Sequence, residues 1–300
     1  MSEKQHLKEN NKYWYDKGIK FLIGSGLAFS LMSACVKELG GKIPISELIL
    51  GRAVFSLIIT RILLFNNKIN PWGYQKGLLL LRGFLGTIAL FCIFKAITIL
   101  PIATATVIQY TYPTFTVICA YFILKEYIFK RILFSVGLGW LGIVLVSRPE
   151  WTSNSNQIDT LIAISIALLG ALMTSLAYIC VRKLSASENA LVIIYYFPLV
   201  SIPASLPLII NNFVMPNGTD WIWILGIGFF TQIGQLCITQ GLRLIPAGQA
   251  TSLNYSQVIF SSVLGWLIFN ETITREIYLG GICVLISTII SMSTRKSSLA

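Results

Sequence analysis

The sequence is poor in charged residues, and that shortage restricts the class of protein it can encode. Charged residues make up 12% of the 300 positions, against about 25% in soluble domains. A chain with so few charges cannot cover a water-facing surface of its own. Hydrophobic residues make up 55% and the mean hydropathy is +0.74. We therefore predict an all-α integral membrane protein whose solvent is the lipid bilayer.

Residues that serve catalysis or metal binding are also scarce. The one histidine is His6, and the six cysteines are spread singly through apolar segments without a CxxC pair. No GxxxxGK[ST] phosphate-binding motif occurs. These absences predict no metal and no cofactor, and they argue against both a membrane-embedded enzyme and an ATP-driven pump. The net charge of +11 is assigned to cytoplasmic loops rather than to nucleic-acid binding.

Apolar segments of spanning length follow one another along the chain with short polar connections. Sixteen lysines and arginines fall on the side of the N-terminus, five on the other side and two within spans. This imbalance predicts an even number of spans with both termini in the cytoplasm, in a bacterial plasma membrane. The ten predicted segments lie near 18–36, 44–64, 77–94, 101–124, 130–147, 159–181, 189–210, 221–240, 246–269 and 276–293.

The chain repeats itself at an offset of 145 residues. LPIATATVIQY at 100–110 resembles IPAGQATSLNY at 245–255, and SLMSACVKEL at 30–39 shares five of ten residues with SLAYICVRKL at 175–184. Each half holds five spans, and an odd number makes the second half enter the membrane from the opposite side. Inverted repeats of this kind are typical of alternating-access transporters, in which two matching gates open in turn.

The repeat defines the predicted domains. They are a cytoplasmic tail at 1–17, a first five-helix repeat at 18–149, a second at 150–294 and a cytoplasmic tail at 295–300. We interpret the chain as a secondary transporter. The alternatives are a non-transporting membrane scaffold built by duplication and, with less support, an integral-membrane enzyme.

Residues 82–126 and 241–271 resemble the EamA-type repeat of the drug/metabolite transporter superfamily. Each segment has a proline-started helix of small residues and ends in a glutamate. The resemblance implies ten helices around a central cavity and transport of small organic metabolites. It also implies a kink at Pro113, but Val258 occupies the corresponding position in the ninth span. Lys125 and Asn270 stand where the family has a glycine before the glutamate.

Two arginines within predicted spans are the leading candidates for substrate binding. Arg52 lies about 12 Å into the second span, at 1.5 Å per residue, and no carboxylate shares its helix face. Arg82 lies nearer the inner end of the third span. Buried charges usually face the interior of a helix bundle and mark substrate pathways. Either side chain could instead bond neighbouring carbonyls or extend towards the interface.

Amide and tyrosine side chains within the fourth, eighth and ninth spans are further candidates. Amides are costly to bury without a partner, so we predict that they line the cavity. The predicted set is Gln109, Gln232, Gln235 and Asn254, with the repeat equivalents Tyr110 and Tyr255 as either lining or gate residues and Tyr178 and Tyr196 as weaker candidates.

Three glutamates near span ends have other predicted roles. Glu126 and Glu271 stand at helix junctions close to Lys130, Arg131 and Arg275, and we expect them to cap helices or form ion pairs, or alternatively to act as gates. Glu47 is the only intramembrane carboxylate that could carry a proton, and it lies near the outer end of its span. We therefore expect facilitated movement or exchange rather than proton symport.

The predicted partners are a small-molecule substrate and the lipid bilayer, with no nucleic acid, and the chain is expected to act as a monomer or homodimer. The arginines favour a substrate with an anionic or zwitterionic part. The amides and tyrosines favour a hydrogen-bonding body such as an amino acid or a nucleobase derivative.

Overall fold

The computed structural model describes residues 3–40, 42–99, 108–147, 157–210, 213–269 and 275–293. Within these ranges the fold is all-helical, without a β-strand, as the composition predicts. The helices are α1 (Glu3–Glu38), α2 (Ile45–Asn66), α3 (Lys76–Ile99), α4 (Tyr112–Cys119), α5 (Lys130–Ser147), α6 (Gln157–Leu184), α7 (Ala190–Ile209), α8 (Asp220–Leu244), α9 (Ala247–Leu253), α10 (Ser256–Phe269) and α11 (Arg275–Ser293). A π-helical turn, Ala120–Leu124, extends α4.

The helices have the length and surface of membrane spans. Seven stretches among the described residues are long and apolar enough to cross a bilayer, with α9 and α10 together forming one of them. Two shorter apolar helices, Tyr112–Leu124 and Tyr278–Ser291, accompany them. Large apolar side chains such as Ile58, Phe134 and Ile289 are more than half exposed. A surface of this kind fits lipid rather than water.

Helix packing interleaves the two halves of the chain. The most extensive contacts join α1 to α8, α3 to α6 and α5 to α11. Further contacts join α2 to α7 and α8, α3 to α7, α1 to α10 and α4 to both α6 and α9. Each half therefore packs mainly on the other, and the center of the bundle lies between them.

The predicted fourth and ninth spans, 101–124 and 246–269, are both interrupted within their described residues. A turn at Tyr110–Thr111 precedes α4, and a turn at Asn254–Tyr255 separates α9 from α10. Thr111 and Asn254 have nearly the same backbone conformation, with ψ of −12° and −13°. The amides of Thr111, Asn254 and Tyr255 bond carbonyls three residues back. Val258, which stands in place of the family's proline, gave no reason to expect a kink in the ninth span, yet the structure interrupts that span four residues earlier, at Asn254.

Small residues bring α5 and α11 into close contact. Ser135 and Ser287 each donate a hydrogen bond to the other's backbone carbonyl, at 2.8 and 2.7 Å. A Cβ atom at Gly142 would lie 2.7 Å from the Gly280 carbonyl oxygen, so only glycine allows this approach. Hydroxyl–carbonyl bonds and close backbone approach are the usual ways in which helices associate inside a bilayer.

Candidate functional site

Two arginines from different helices flank one phenylalanine ring at the centre of the bundle. The guanidinium carbons of Arg52 (α2) and Arg82 (α3) lie 5.4 and 5.0 Å from the centroid of the Phe197 ring (α7). Gly86, one turn after Arg82, leaves room for that ring, since a Cβ there would lie 3.0 Å from it. The ring face attracts both cations, but it does not neutralise their charge.

The charge of this arginine pair has no protein counter-ion in the described ranges. No aspartate or glutamate described by the structure lies within 4.0 Å of either guanidinium group. Arg82 is 4% exposed and donates one hydrogen bond, from Nη2 to Gln235 Oε1 at 3.0 Å. Its Nε and Nη1 atoms are buried without a partner. Unpaired buried donors on a charged group are costly, so this place favours an anion.

A chain of tyrosines leads away from the arginine pair. Tyr178 (α6) lies within electrostatic reach of both guanidinium groups. Its ring centroid is 5.6 Å from that of Tyr112, which is 6.1 Å from that of Tyr110. The Tyr110 centroid is in turn 6.3 Å from that of Tyr255. The aromatic row therefore connects the arginine pair with the interruptions of the fourth and ninth spans.

An amide with an unpartnered oxygen stands directly before the first interruption and another within the second. Gln109 and Asn254, which are 145 positions apart, have a buried Oε1 and a buried Oδ1 without a hydrogen-bond partner. Asn254 is 4% exposed. The structure thus brings Arg52, Arg82, Gln235 and Phe197 together. The tyrosine row of Tyr178, Tyr112 and Tyr110 extends from them towards the interruptions. We call these seven residues the central site.

Three other predicted residues have protein partners that account for their burial. Gln232 accepts a hydrogen bond from Ser56 at 2.6 Å and donates one to Thr60 at 2.9 Å, so both ends of its amide tie α8 to α2. Tyr255 is fully buried, and its ring lies where a Cβ on Gly139 would stand. The Tyr196 hydroxyl donates to the Trp72 carbonyl at 2.9 Å.

Glu126 joins helix ends from both halves of the chain. Its Oε1 accepts a hydrogen bond from Arg182 Nε and its Oε2 accepts one from the Ala247 amide, both at 2.9 Å. Arg182 Nη1 also donates to the carbonyls of Leu242 and Arg243 at 2.8 and 2.9 Å. We call this group the Glu126–Arg182 junction. It holds the ends of α6 and α8 and the start of α9 against the segment that follows α4.

The position of Glu126 depends on an unusual backbone conformation just before it. Lys125 has a φ of 54°, in the left-handed region, and the Glu126 amide bonds the Ala120 carbonyl at 3.2 Å. This is the position where the family has a glycine, which adopts that conformation without steric cost. The sequence favoured Lys130 or Arg131 as neighbours of Glu126, but the structure provides Arg182, 56 positions away.

Two further glutamates bond backbone amides at helix connections. Glu47 Oε1 accepts a hydrogen bond from the Val214 amide at 2.7 Å, while its Oε2 is buried without a partner. Glu188 Oε1 accepts bonds from the amides of Tyr74 and Gln75, both at 2.6 Å. Glu271 lies outside the described residues. Over the ranges that the structure describes, no group of three or more His, Cys, Asp or Glu is placed to hold a metal ion.

Sequence patterns did not single out two residues of the central site. Phe197 and Tyr112 are aromatic residues within apolar spans and carry no distinctive signal there. The nearest sequence signal to Phe197 is the set of three prolines in α7, at positions 198, 203 and 207, the first of which follows Phe197 directly.

Comparison with known proteins places the chain among transporters. It is 25% identical over 280 residues to the pseudopaline exporter CntI of Pseudomonas aeruginosa, covering 93% of this chain and 97% of that one. It is 24% identical over 289 residues to an S-adenosylmethionine uptake transporter of Rickettsia prowazekii, covering 95% and 96%. It is 28% identical over 287 residues to human solute carrier family 35 member G1, covering 89% and 78%.

A solved crystal structure of another protein shares the fold. It superposes with a TM-score of 0.82 at 14% identity, covering 92% of this chain and 96% of that one. The sequence profile of the EamA-like transporter family matches residues 16–148 and again residues 161–293. The two matches cover most of the chain, and the family and these relatives are transporters and not enzymes. The resemblance found in the sequence is confirmed: the chain belongs to the EamA-like transporter family and is an integral membrane transporter of the drug/metabolite type.

Proposed function

We propose that the chain is a secondary transporter that binds the anionic group of a small organic metabolite at Arg52 and Arg82 and moves it by alternating access. The observation that carries this proposal is the pair of arginines on one phenylalanine ring without a carboxylate nearby in the described ranges. A guanidinium group costs several kcal/mol to remove from water unless it is paired. A bound carboxylate or phosphate would accept hydrogen bonds from the free Arg82 donors and neutralise the local charge.

Alternating access in this proposal uses ten spans in two inverted repeats, at 18–149 and 150–294. The two family matches begin at residues 16 and 161, which reproduces the offset of 145. Helix contacts also come in matched pairs. At the offset of 145, α1, α2 and α3 correspond to α6, α7 and α8. The contact of α1 with α8 is therefore matched by that of α6 with α3, and the contact of α3 with α7 by that of α8 with α2. The interruptions of the fourth and ninth spans, at 110–111 and 254–255, correspond to within one residue at that offset. Five spans in each half make the repeats inverted.

The Glu126–Arg182 junction serves as the cytoplasmic gate in this scheme. Both termini are assigned to the cytoplasm of a bacterial inner membrane because most lysines and arginines fall on their side. The junction joins three helix ends to the segment that follows α4 on that face, so it closes the inner path while the outer path is open. Lys37 is the repeat equivalent of Arg182 and lies 4.4 Å from the Phe269 ring. We assign Lys37 and Glu271 to the opposite gate.

Transport in this proposal needs no proton. Of the described carboxylates, Glu126 and Glu188 bond backbone amides or Arg182 at helix connections, and Glu47 bonds the Val214 amide. None is among the partners of the central site. Facilitated movement or exchange of substrate therefore fits better than proton symport.

The test compares ligand binding by three variants of the purified protein. Arg52→Gln and Arg82→Gln remove one charge each from the central site, and Arg61→Gln removes an exposed arginine of the same helix as Arg52. A ligand that binds only the folded state raises its stability by about 2.7 kcal/mol at one hundred times its Kd. We expect carboxylates or phosphates to raise the melting temperature of the wild type and of Arg61→Gln.

The same ligands should stabilise the two central-site variants much less. Counterflow of the stabilising ligand in proteoliposomes should fail in those variants as well. Equal ligand-induced shifts in all four proteins would contradict an anion site at the arginines. An alkalinisation that accompanies uptake and disappears in Glu47→Gln would contradict transport without a proton.

A further inference from the structure

A groove with basic and aromatic walls opens between α1 and α8, and its volume is about 390 Å³. We call it the Lys17–Arg243 groove. We propose that it binds an anionic phospholipid, with the phosphate of the headgroup at the two basic side chains and an acyl chain along its apolar wall. The lining residues are Trp14, Lys17, Phe21, Gln240, Arg243 and Leu244.

One face of each helix forms the groove. On α1 the lining residues are spaced three and four residues apart, and on α8 they stand at i, i+3 and i+4. Such spacings place side chains on the same side of a helix. The two helices meet closely beside the groove, because a Cβ atom at Gly18 would lie 3.0 Å from the Leu244 Cβ atom. The groove is therefore built by both halves of the chain.

The groove lies at the boundary of the membrane. The apolar span within α1 is Tyr13–Glu38, and that within α8 is Asp220–Leu244. Trp14 and Lys17 therefore belong to the first turns of one span, and Arg243 belongs to the last turn of the other. Trp14 is 46% exposed, and tryptophan and long basic side chains are enriched at the level of the headgroups. A ligand in the groove would lie at that depth.

The two cations of the groove are available to an anion. No aspartate or glutamate whose side chain the structure describes lies within 4.0 Å of Lys17 or Arg243. Lys17 Nζ lies 5.1 Å from the Trp14 ring centroid and 6.0 Å from that of Phe21. These ring contacts hold the ammonium group against the groove wall but leave its charge uncompensated. Phosphate oxygens accept strong hydrogen bonds from ammonium and guanidinium groups, and the Gln240 amide can donate another.

The apolar wall favours a phospholipid over a soluble phosphate. Phe21 follows Lys17 by about one turn, which is roughly 6 Å deeper into the bilayer at 1.5 Å per residue. A soluble phosphate would contact the cations alone. A phospholipid would place its phosphate at the cations and its acyl chain beside Phe21 and Leu244. Basic pockets between membrane helices bind anionic headgroups in this way.

The repeat contains no second copy of this basic pair. The residues equivalent to Lys17 and Arg243 at the offset of 145 are Ile162 and Thr98. Neither carries a charge, although α6 packs on α3 as α1 packs on α8. The two cations are therefore not required by a helix pair of this kind. In the inverted arrangement proposed above, the groove occurs on one face of the membrane only.

Lipid binding to the purified full-length protein tests the proposal. Native mass spectrometry in a neutral detergent compares dioleoyl phosphatidylglycerol with dioleoyl phosphatidylcholine, which has the same acyl chains but no net charge. We expect the first phosphatidylglycerol molecule to bind at least about tenfold more tightly than phosphatidylcholine. Lys17→Gln and Arg243→Gln should each lose about fivefold of that affinity. Fivefold corresponds to about 1 kcal/mol, the contribution of one basic residue near an anionic surface.

Matched variants separate the groove from general surface charge and from folding. Arg243→Lys keeps the charge and should retain most of the preference for phosphatidylglycerol. Lys76→Gln removes an exposed lysine at the start of α3, outside the groove, and should bind both lipids as the wild type does. Lys17→Gln tests the groove without altering the end of α8, where the Arg243 carbonyl bonds Arg182.

Three results would overturn the proposal. Equal affinity for the two lipids would exclude an anion site. A preference for phosphatidylglycerol that persists in both Lys17→Gln and Arg243→Gln, or that falls equally in Lys76→Gln, would place the binding elsewhere. Inorganic phosphate that displaces phosphatidylglycerol at a comparable concentration would show a soluble-phosphate site instead. None of these results depends on Arg52 or Arg82, so the proposed function stands or falls separately.

Discussion

The Glu126–Arg182 junction allows a quantitative prediction about the gate. Glu126→Gln removes the charge pairing with Arg182 and leaves one acceptor oxygen for two donors, Arg182 Nε and the Ala247 amide. Hydrogen bonds to charged groups contribute about 1.5–3 kcal/mol each. The Arg182 and Glu126 side chains are 25% and 19% exposed, which reduces that contribution. We expect a loss of about 2 kcal/mol from the closed state, a roughly thirtyfold shift towards the state with this gate open.

Hydrogen–deuterium exchange measures that shift directly. The amide of Ala247 is protected by Glu126 in the closed state, so exchange in the peptide that contains it should accelerate by up to about thirtyfold in Glu126→Gln. Arg182→Gln should have a similar effect, and the double variant should add little to either, because both remove one interaction. Asp220→Asn, which changes a carboxylate at the start of α8, should leave this peptide unchanged. Unaltered exchange at Ala247 in both single variants would refute the gate.

Three further outcomes can be checked with the purified protein. Gln232→Leu leaves the hydroxyl groups of Ser56 and Thr60 without their partner. We expect denaturation assays to show a free energy of unfolding lower by about 1–3 kcal/mol. The order of ligand preference should stay that of the wild type. Lys125→Gly removes the steric cost of a left-handed backbone conformation at a residue with a side chain. We expect the melting temperature to rise by the equivalent of about 1 kcal/mol, and a lower melting temperature would contradict that. Lys37→Met should weaken the opposite gate, and exchange near Ala247 should become slower rather than faster.

The positions of the spans could be predicted from the sequence because the bilayer fixes their length and composition. The fifth predicted segment, 130–147, coincides with α5 (Lys130–Ser147). The tenth, 276–293, begins one residue after the first residue of α11 and ends at the same residue as that helix. The interruption at Asn254–Tyr255 could not be predicted in this way, since neither residue disfavours a helix as proline does. Contacts between halves accompany it: the Tyr255 ring packs on Gly139 and lies beside the Tyr110 ring.

The candidate site could be predicted only in part for a related reason. Arg52 and Arg82 were recognisable because a charge inside a span is rare and costly. Phe197 was not recognisable, because its neighbours in α7 are equally apolar. The partner of Glu126 was missed because Arg182 is far away in sequence, whereas Lys130 and Arg131 are near. Gln232 was grouped with the binding residues because its bonds to α2 are visible only in three dimensions.

The contact between α5 and α11 determines how the protein could be divided. Ser135 and Gly142 meet Ser287 and Gly280 through backbone contacts that need no third helix. Each half thus ends in a helix whose binding surface is supplied by the other half, and neither half buries that surface alone. Two polypeptides produced by cutting between Ser147 and Gln157 should therefore assemble into one complex in the membrane, like the two subunits of a heterodimer.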